Sequence, residues 1–318
     1  MNAPQFVVIG EALIDLVDQG RSPYAAHAGG SPLNVAIGLS RLGNATAFVG
    51  RLSRDPIGTL LRDHAIHSNL DLRFAVEAVE PSTIALARLH DGTARYEFAI
   101  DGTADFQWRD AELAILPAGA SIVHFGSLAS WLMPGAAAVN RLASRLHADG
   151  EVLISYDPNV RPTLQPNARA ARAQIERAVA TAHLVKASED DIRWLYDDAD
   201  PGEIGARWTG FGPALVVITR GSEGAMALSP GRPPLARPVH SLPVVDTVGA
   251  GDAFASGLLA GLARRGITSP LALGIATQDA AVIASLLEEA AVVAAITCSR
   301  AGASLPWAEE LSAAMSRG

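Results

Sequence analysis

The run VVDTVGAGDAFASGLLAGL at 244–262 places Gly249, Ala250 and Gly251 directly before a single acid, Asp252. From Ala253 onward, Phe254, Leu258, Leu259 and Leu262 recur at helical spacing, and Arg264-Arg265 precede Gly266, as expected of a helix body and its C-terminal end. Gly249–Gly251 therefore fall at the helix N-terminus, where backbone N–H groups lack internal partners and the dipole is positive. Small residues there let a phosphate approach the amides closely, which makes them a candidate anion hole. Asp252 beside such a phosphate is either a favourable first-turn charge or a base. The plainer alternative is a tight turn followed by a helix-start acid, since short glycine motifs are weak signals.

Further residues have the right types for a polar ligand. Asp15 stands alone in the apolar stretch ALIDLV at 12–17, an awkward charge to place without a partner. Ser31-Pro32 reads as an N-cap with proline at the first helical position, opening a helix that ends near Gly43. Asn34 lies in its first turn, just after Gly29-Gly30; its amide can both donate to and accept from sugar hydroxyls, or can cap its own helix. In DPNVRP at 157–162, Asp157 and Arg161 follow an apolar strand. Arg161 suits phosphate or sugar oxygens; the alternative is an Asp157–Arg161 pair bracing the turn.

The elements that must position these residues are β-rich runs: FVVIG at 6–10, SIVHFG at 121–126, EVLISYD at 151–157, HLVKAS at 183–188 and ALVVITRG at 214–221. Helical segments at 134–148 and 167–182 lie between them. Continuous apolar strands alternating with helices predict a mostly parallel sheet covered on both faces. Each strand ends in small or polar residues, and in open α/β sheets ligands bind beyond the carboxyl ends of the strands. Residues 82–100 break the alternation and read as two strands around a turn at Asp91-Gly92. With 11–28 they predict a small antiparallel flap over the crevice, able to exclude water; an ordinary edge hairpin is the alternative.

The 318 residues are 49% hydrophobic and 18% charged, a globular composition. A net charge of −8 argues against nucleic acid or an anionic membrane as partner. Cys298 is the only cysteine, so no internal disulfide forms, as expected of a reducing compartment. Neither a signal peptide nor an uncharged membrane span is evident, and a cytoplasmic location is expected. No G-x-G-x-x-G follows the first strand, which sets aside a dinucleotide dehydrogenase.

DTVGAGDAF at 246–254 closely resembles the signature of the ribokinase-like (PfkB) carbohydrate kinases, and GGSPLNVAIGLSRLG at 29–43 resembles that family's N-terminal signature. GRLSRDPIGTLL at 50–61 and DPNVRP fit as well, and the resemblance runs from Gly10 to about Gly302. It implies one three-layer domain over 1–318, with a β lid from about 11–28 and 82–107. It implies ATP with Mg²⁺, a small sugar held by Asp15, Gly29, Gly30, Asn34, Asp157 and Arg161, and Asp252 as base beside the Gly249–Gly251 anion hole.

In KASEDD at 186–191 many relatives carry Asn-x-x-Glu; here Ser188 and Asp191 stand at those places, leaving Asp191 one methylene shorter for a water-mediated contact to magnesium. Lys186, Ser188, Thr219, Gly221 and Gly224 are the implied ATP-binding residues. Most relatives have an asparagine facing adenine where this chain has Ala291. Asp246 and Val248, with the 297–304 loop, match the family's monovalent-cation (K⁺) site. DPNVRP resembles the version in fructokinases and 2-keto-3-deoxygluconate kinases. Fructose is the favoured acceptor, because Asp101 stands where the ketodeoxygluconate enzymes need a cation; that same departure weakens the match to fructokinases. Ketodeoxygluconate, ribose, adenosine or another sugar are the alternatives, a non-catalytic sugar sensor is the reading of a different class, and an exposed apolar lid face would suit a homodimer.

Overall fold

The computed structural model describes residues 3–17, 24–90, 93–114, 116–165, 167–240 and 242–316. Its main sheet has eight strands. From one edge they run Leu235–Arg237, Ala225–Leu228, Leu215–Thr219, Leu184–Ser188, Leu153–Asp157, Ile122–Gly126, Phe6–Ile9 and Thr46–Val49. The first two pair antiparallel and the other six are parallel. Side chains alternate between two apolar layers. Phe6, Val8, Leu215 and Val217 join one core with the helices Ser31–Arg41, Ala250–Arg264 and Ala280–Cys298. Val7, Ile9, Val216 and Ile218 join the other with Gly135–Asp149, Ala168–Val179 and Pro201–Thr209. Both faces are buried, which is why these strands read as unbroken apolar runs.

The Ala280–Cys298 helix is long and apolar enough to cross a membrane, with a mean hydropathy of 1.9. Its buried side, including Leu286, Leu287, Ala290 and Val293, instead packs into the first core.

The second sheet has four strands, in the order Ala25–Gly29, Leu13–Val17, Thr83–His90, Thr93–Ala99. The predicted flap is thus present, but it is mixed rather than antiparallel: Leu13–Val17 and Thr83–His90 pair in parallel. The physical reason is connectivity. Both strands leave the core in the same sense and are joined by a long crossover through residues 30–82, the kind of link parallel neighbours require. The Asp91-Gly92 turn lies outside the described residues.

The crossings between core and small sheet are tied by a buried carboxyl. Asp105, 1% exposed, accepts from the Ala12 N–H through Oδ1 at 2.9 Å, while Oδ2 has no hydrogen-bond partner among the described residues. The neighbouring Thr83 hydroxyl is spent on Thr103 Oγ1 at 2.8 Å. Burial pushes the Asp105 pKa up to about 7, against the Ala12 N–H bond and with the Glu11 carboxyl adding to the rise. Between the ordinary carboxylate value and 7 the folded chain therefore holds a proton that the unfolded chain releases, so this group adds stability as pH falls through that window. Asp105→Asn keeps the Oδ1 acceptor and removes the charge. Its melting temperature is expected to exceed that of the parent at pH 8, with the gap closing by pH 5. Parallel melting curves across that range would show that Asp105 is not ionised at pH 8.

Candidate active site

The sequence-predicted residues gather at the carboxyl ends of the parallel strands, beside the second sheet. Two helices frame the centre. Ser31–Arg41 and Ala250–Arg264 pack so closely that a Cβ on Gly38 would lie 2.4 Å from Ser256 Oγ. That approach lets side chains from the first turn of one helix reach the first turn of the other. Ser31 Oγ donates to Asp252 Oδ1 at 2.6 Å, and Asn34 Nδ2 donates to Asp252 Oδ2 at 2.8 Å. All three residues are buried.

This corrects one expectation and removes one alternative. The cap of the Ser31–Arg41 helix is Gly30, with no side-chain capping bond; Ser31 is the first helical residue and turns its hydroxyl to Asp252. Asn34 does not cap its own helix through its amide either, because its Nδ2 is spent on the same carboxylate. Ser31 and Asn34 lie three residues apart, one helical turn, so both face the same way. That spacing is visible in the sequence, and it was the signal for a contact that sequence reasoning missed.

The Ala250–Arg264 helix opens as predicted. Gly249 takes a left-handed φ of 76° at the N-cap, and a Cβ there would lie 2.6 Å from Ala303 Cβ, so two constraints select glycine. Ala250 N donates to Thr247 O at 3.2 Å and Ala253 N to Gly249 O at 2.8 Å. Among the described residues the Gly251 and Asp252 amides between them have no acceptor. The Gly249 amide has none either, so the open donors include both glycines of the expected Gly249–Ala250–Gly251 hole and extend to Asp252. Lys186 supplies positive charge at the same point: a Cβ on Gly251 would sit 3.0 Å from its Nζ.

Lys186 pairs with Asp157, Nζ to Oδ2, at 2.9 Å, with both side chains buried. Burial opposes its charge, but the Asp157 carboxylate, with Asp191 and Asp252 beyond it, outweighs that and raises the ammonium pKa. Asp157 thus braces Lys186 and not Arg161. Arg161 instead donates to Asn159 Oδ1 at 2.8 Å and Val160 O at 3.0 Å. Ser188 and Asp191 form a capping box on Glu189–Leu195. Asp191 Oδ2 accepts from Ser188 N at 3.0 Å and Oδ1 from Val160 N at 2.8 Å. Both of its oxygens are thereby engaged, and burial raises its pKa.

Asp252 is also raised above the ordinary carboxylate range. Burial is the largest cause; the Ser31 and Asn34 hydrogen bonds and Lys186 pull the other way. A helix N-terminus by itself would favour the ionised form and lower this pKa. Magnitudes explain the difference: a helix terminus contributes roughly 0.3–1 kcal/mol, whereas desolvating an ion costs several kcal/mol.

Asp15 faces the same space from the second sheet. Burial lifts its pKa to about 6, Arg161 opposes, and Asp252 adds to the rise, which places all three in one electrostatic neighbourhood. Its carboxylate lies over Gly29, where a Cβ would come within 2.2 Å of Oδ2. Gly30 follows at φ 101°. Thr219 ends its strand, and Gly221 and Gly224 shape the turn after it.

Asp246 ties two loops together. Its Oδ1 accepts from Val248 N at 3.0 Å and its Oδ2 from Gly302 N at 2.8 Å, while Val245 and Asp246 N–H both donate to Cys298 O. Ala291 is buried in the core.

Residues 3–310 match the model for the pfkB family carbohydrate kinases. The chain belongs to that family. It is therefore an ATP-dependent sugar kinase with the ribokinase-like fold, as its two signatures imply. Among curated relatives, a fructokinase of Rhizobium leguminosarum bv. trifolii is 37% identical over 257 residues, 80% of this chain and 78% of that one. Among solved structures, a fructokinase of Xylella fastidiosa with bound ATP superposes with a TM-score of 0.90 at 26% identity, covering 99% of each chain. A fructokinase double mutant from Vibrio cholerae O395 with fructose, ADP and potassium bound gives 0.84 at 25% identity, over 98% of this chain and 99% of that one.

Gly29→Ala forces the Asp15 carboxylate off its position without touching Asp252. Its expected effect is a sugar KM at least tenfold higher with ATP KM within twofold of the parent. Equal rises in both constants would show that Asp15 does not face the sugar.

Proposed function

We propose that this kinase transfers the γ-phosphate of ATP to a hydroxymethyl group of fructose. The observation that carries the reading is the buried Asp252 carboxylate, lying at the same helix start as the open Gly251 and Asp252 amides and the Lys186 ammonium. The sugar sits against Asp15, Gly29, Gly30 and Asn34, under the second sheet as lid, with Asp157 and Arg161 behind it. Asp252 takes the hydroxyl proton as the sugar oxygen bonds to the γ-phosphorus and the bond to the β–γ bridging oxygen breaks, releasing ADP. The Gly251 and Asp252 amides and Lys186 stabilise the charge on the phosphoryl group in transit, the main need of this reaction class. A raised Asp252 pKa makes it a better proton acceptor than an exposed carboxylate.

Thr219, Gly221, Gly224, Lys186 and Ser188 line the nucleotide side. Mg²⁺ bound with the nucleotide neutralises charge on the β- and γ-phosphates. Asp191, whose oxygens keep lone pairs beside their bonds to Val160 and Ser188, would reach that cation through water. Asp246 joins the 246–248 and 298–302 segments, which supports a potassium site built from their carbonyls. The cytoplasm, reducing and supplied with ATP, suits a chain with a single half-buried cysteine.

Fructose is favoured over ketodeoxygluconate by charge. Asp15, Asp157 and Asp252 face the crevice, Lys186 is committed to Asp157, and Asp101 is exposed. Among the described residues, the cation left to a sugar carboxylate is Arg161, already tied to Asn159.

An ADP-release assay tests both parts of the reading. With the parent enzyme, kcat/KM for fructose is expected to exceed that for ketodeoxygluconate, ribose and nucleosides at least tenfold. Asp252→Asn is expected to lower kcat by at least about 100-fold, the scale of general-base loss. Preference for ketodeoxygluconate would overturn the sugar, and an undiminished kcat in folded Asp252→Asn would overturn the base.

A further inference from the structure

Asp252 meets two donors from one helix, and they are not equivalent. Asn34 carries an amide with a donor and an acceptor to offer a sugar, and on the reading above it does so when the sugar binds. Ser31 has no other hydrogen-bond partner for its hydroxyl among the described residues, is only 9% exposed, and sits at the first helical position with its backbone fixed by Gly30 before it and Pro32 after it. At 2.6 Å its bond to Oδ1 is of the charge-assisted kind.

We propose that Ser31 is a positioning residue for the catalytic carboxylate. Its hydroxyl holds Asp252 Oδ1 in place while Asn34 turns from Oδ2 to the sugar, leaving Oδ2 oriented to receive the hydroxymethyl proton. Without it, a carboxylate that has lost Asn34 is free to rotate about its terminal torsion, which is soft, and the reacting pair loses its alignment. The inference rests on Asp252 being the base.

The hydroxyl also favours the ionised carboxylate. The other charged groups facing Asp252 are Lys186 and Asp157 from adjoining strands and Asp15 from the second sheet, and none of them changes in a Ser31 variant. Losing one donor therefore raises the Asp252 pKa and moves the acid limb of the kcat profile to higher pH.

Steady-state kinetics with ATP and fructose from pH 5 to 9 on Ser31→Ala, Ser31→Thr and Ser31→Cys test this, with melting temperatures confirming the fold. Ser31→Ala is expected to lower kcat about tenfold, leave fructose KM within twofold, and move the acid limb up by about one to two pH units, the scale of one hydrogen bond to a charge. Ser31→Thr is expected to restore both, and Ser31→Cys, with similar volume and a weaker donor, to fall between. In an Asp252→Asn background Ser31→Ala is expected to add nothing, because its effect runs through that carboxylate.

A raised fructose KM with unchanged kcat would make Ser31 a sugar contact and overturn the proposal. So would an unmoved acid limb, or a Thr variant as slow as Ala. An additive loss in the Asp252→Asn background would show that Ser31 acts elsewhere. If Asp252→Asn alone retained full kcat, the base itself would be misassigned, a failure separate from those of Ser31.

Discussion

A carboxylate buried at a helix N-terminus, gripped by two side chains from a neighbouring helix, is the constraint around which this molecule is arranged. Burying an ion costs several kcal/mol unless donors offset it, and the offset here comes from Ser31, Asn34 and the nearby Lys186. Those donors arrive only because the two helices touch at Gly38 and Ser256. Their contact in turn depends on the apolar layer that seats both on one face of the sheet. The compensation is incomplete, and the remaining desolvation makes Asp252 a competent proton acceptor.

The rest of the site extends the same balance of charges. Lys186 could not remain charged when buried without Asp157, and Asp157 would be an uncompensated buried charge without Lys186. The pair places a positive end beside Gly251, where open amides already favour an anion. From the other side the small sheet brings Asp15, whose position depends on the missing side chain of Gly29. Positive charge at the helix start and the Asp15 carboxylate are thus each fixed by a different sheet.

Much of this was legible in the sequence because it follows local rules. The five apolar runs became adjacent strands of the main sheet, and Gly249–Gly251 opened a helix, because strand ends and helix starts are written in short range. The antiparallel strands at 225–228 and 235–237, and the edge strand at 46–49, were not picked out: they are short, and the last is flanked by small and polar residues. The long-range pairings were also hidden. Ser31 lies 221 residues from Asp252 and Asp157 lies 29 from Lys186, and nothing in local spacing joins them. The alternative Asp157–Arg161 pair failed for the same reason, since the nearest acid to Arg161 in sequence is not its partner in space. The parallel pairing inside the small sheet depended on how both strands leave the core, which no single segment encodes.

The most direct test of the account is a crystal structure with ADP, aluminium fluoride and fructose, which mimics the phosphoryl group in transit. The account predicts the fluoride complex against the Gly251 and Asp252 amides. It also predicts the sugar hydroxymethyl oxygen within hydrogen-bond reach, about 2.6–3.2 Å, of Asp252 Oδ2, with Ser31 still on Oδ1. Fluoride bound away from those amides, or a reacting oxygen beyond reach of Asp252 while Asn34 still occupies Oδ2, would contradict it.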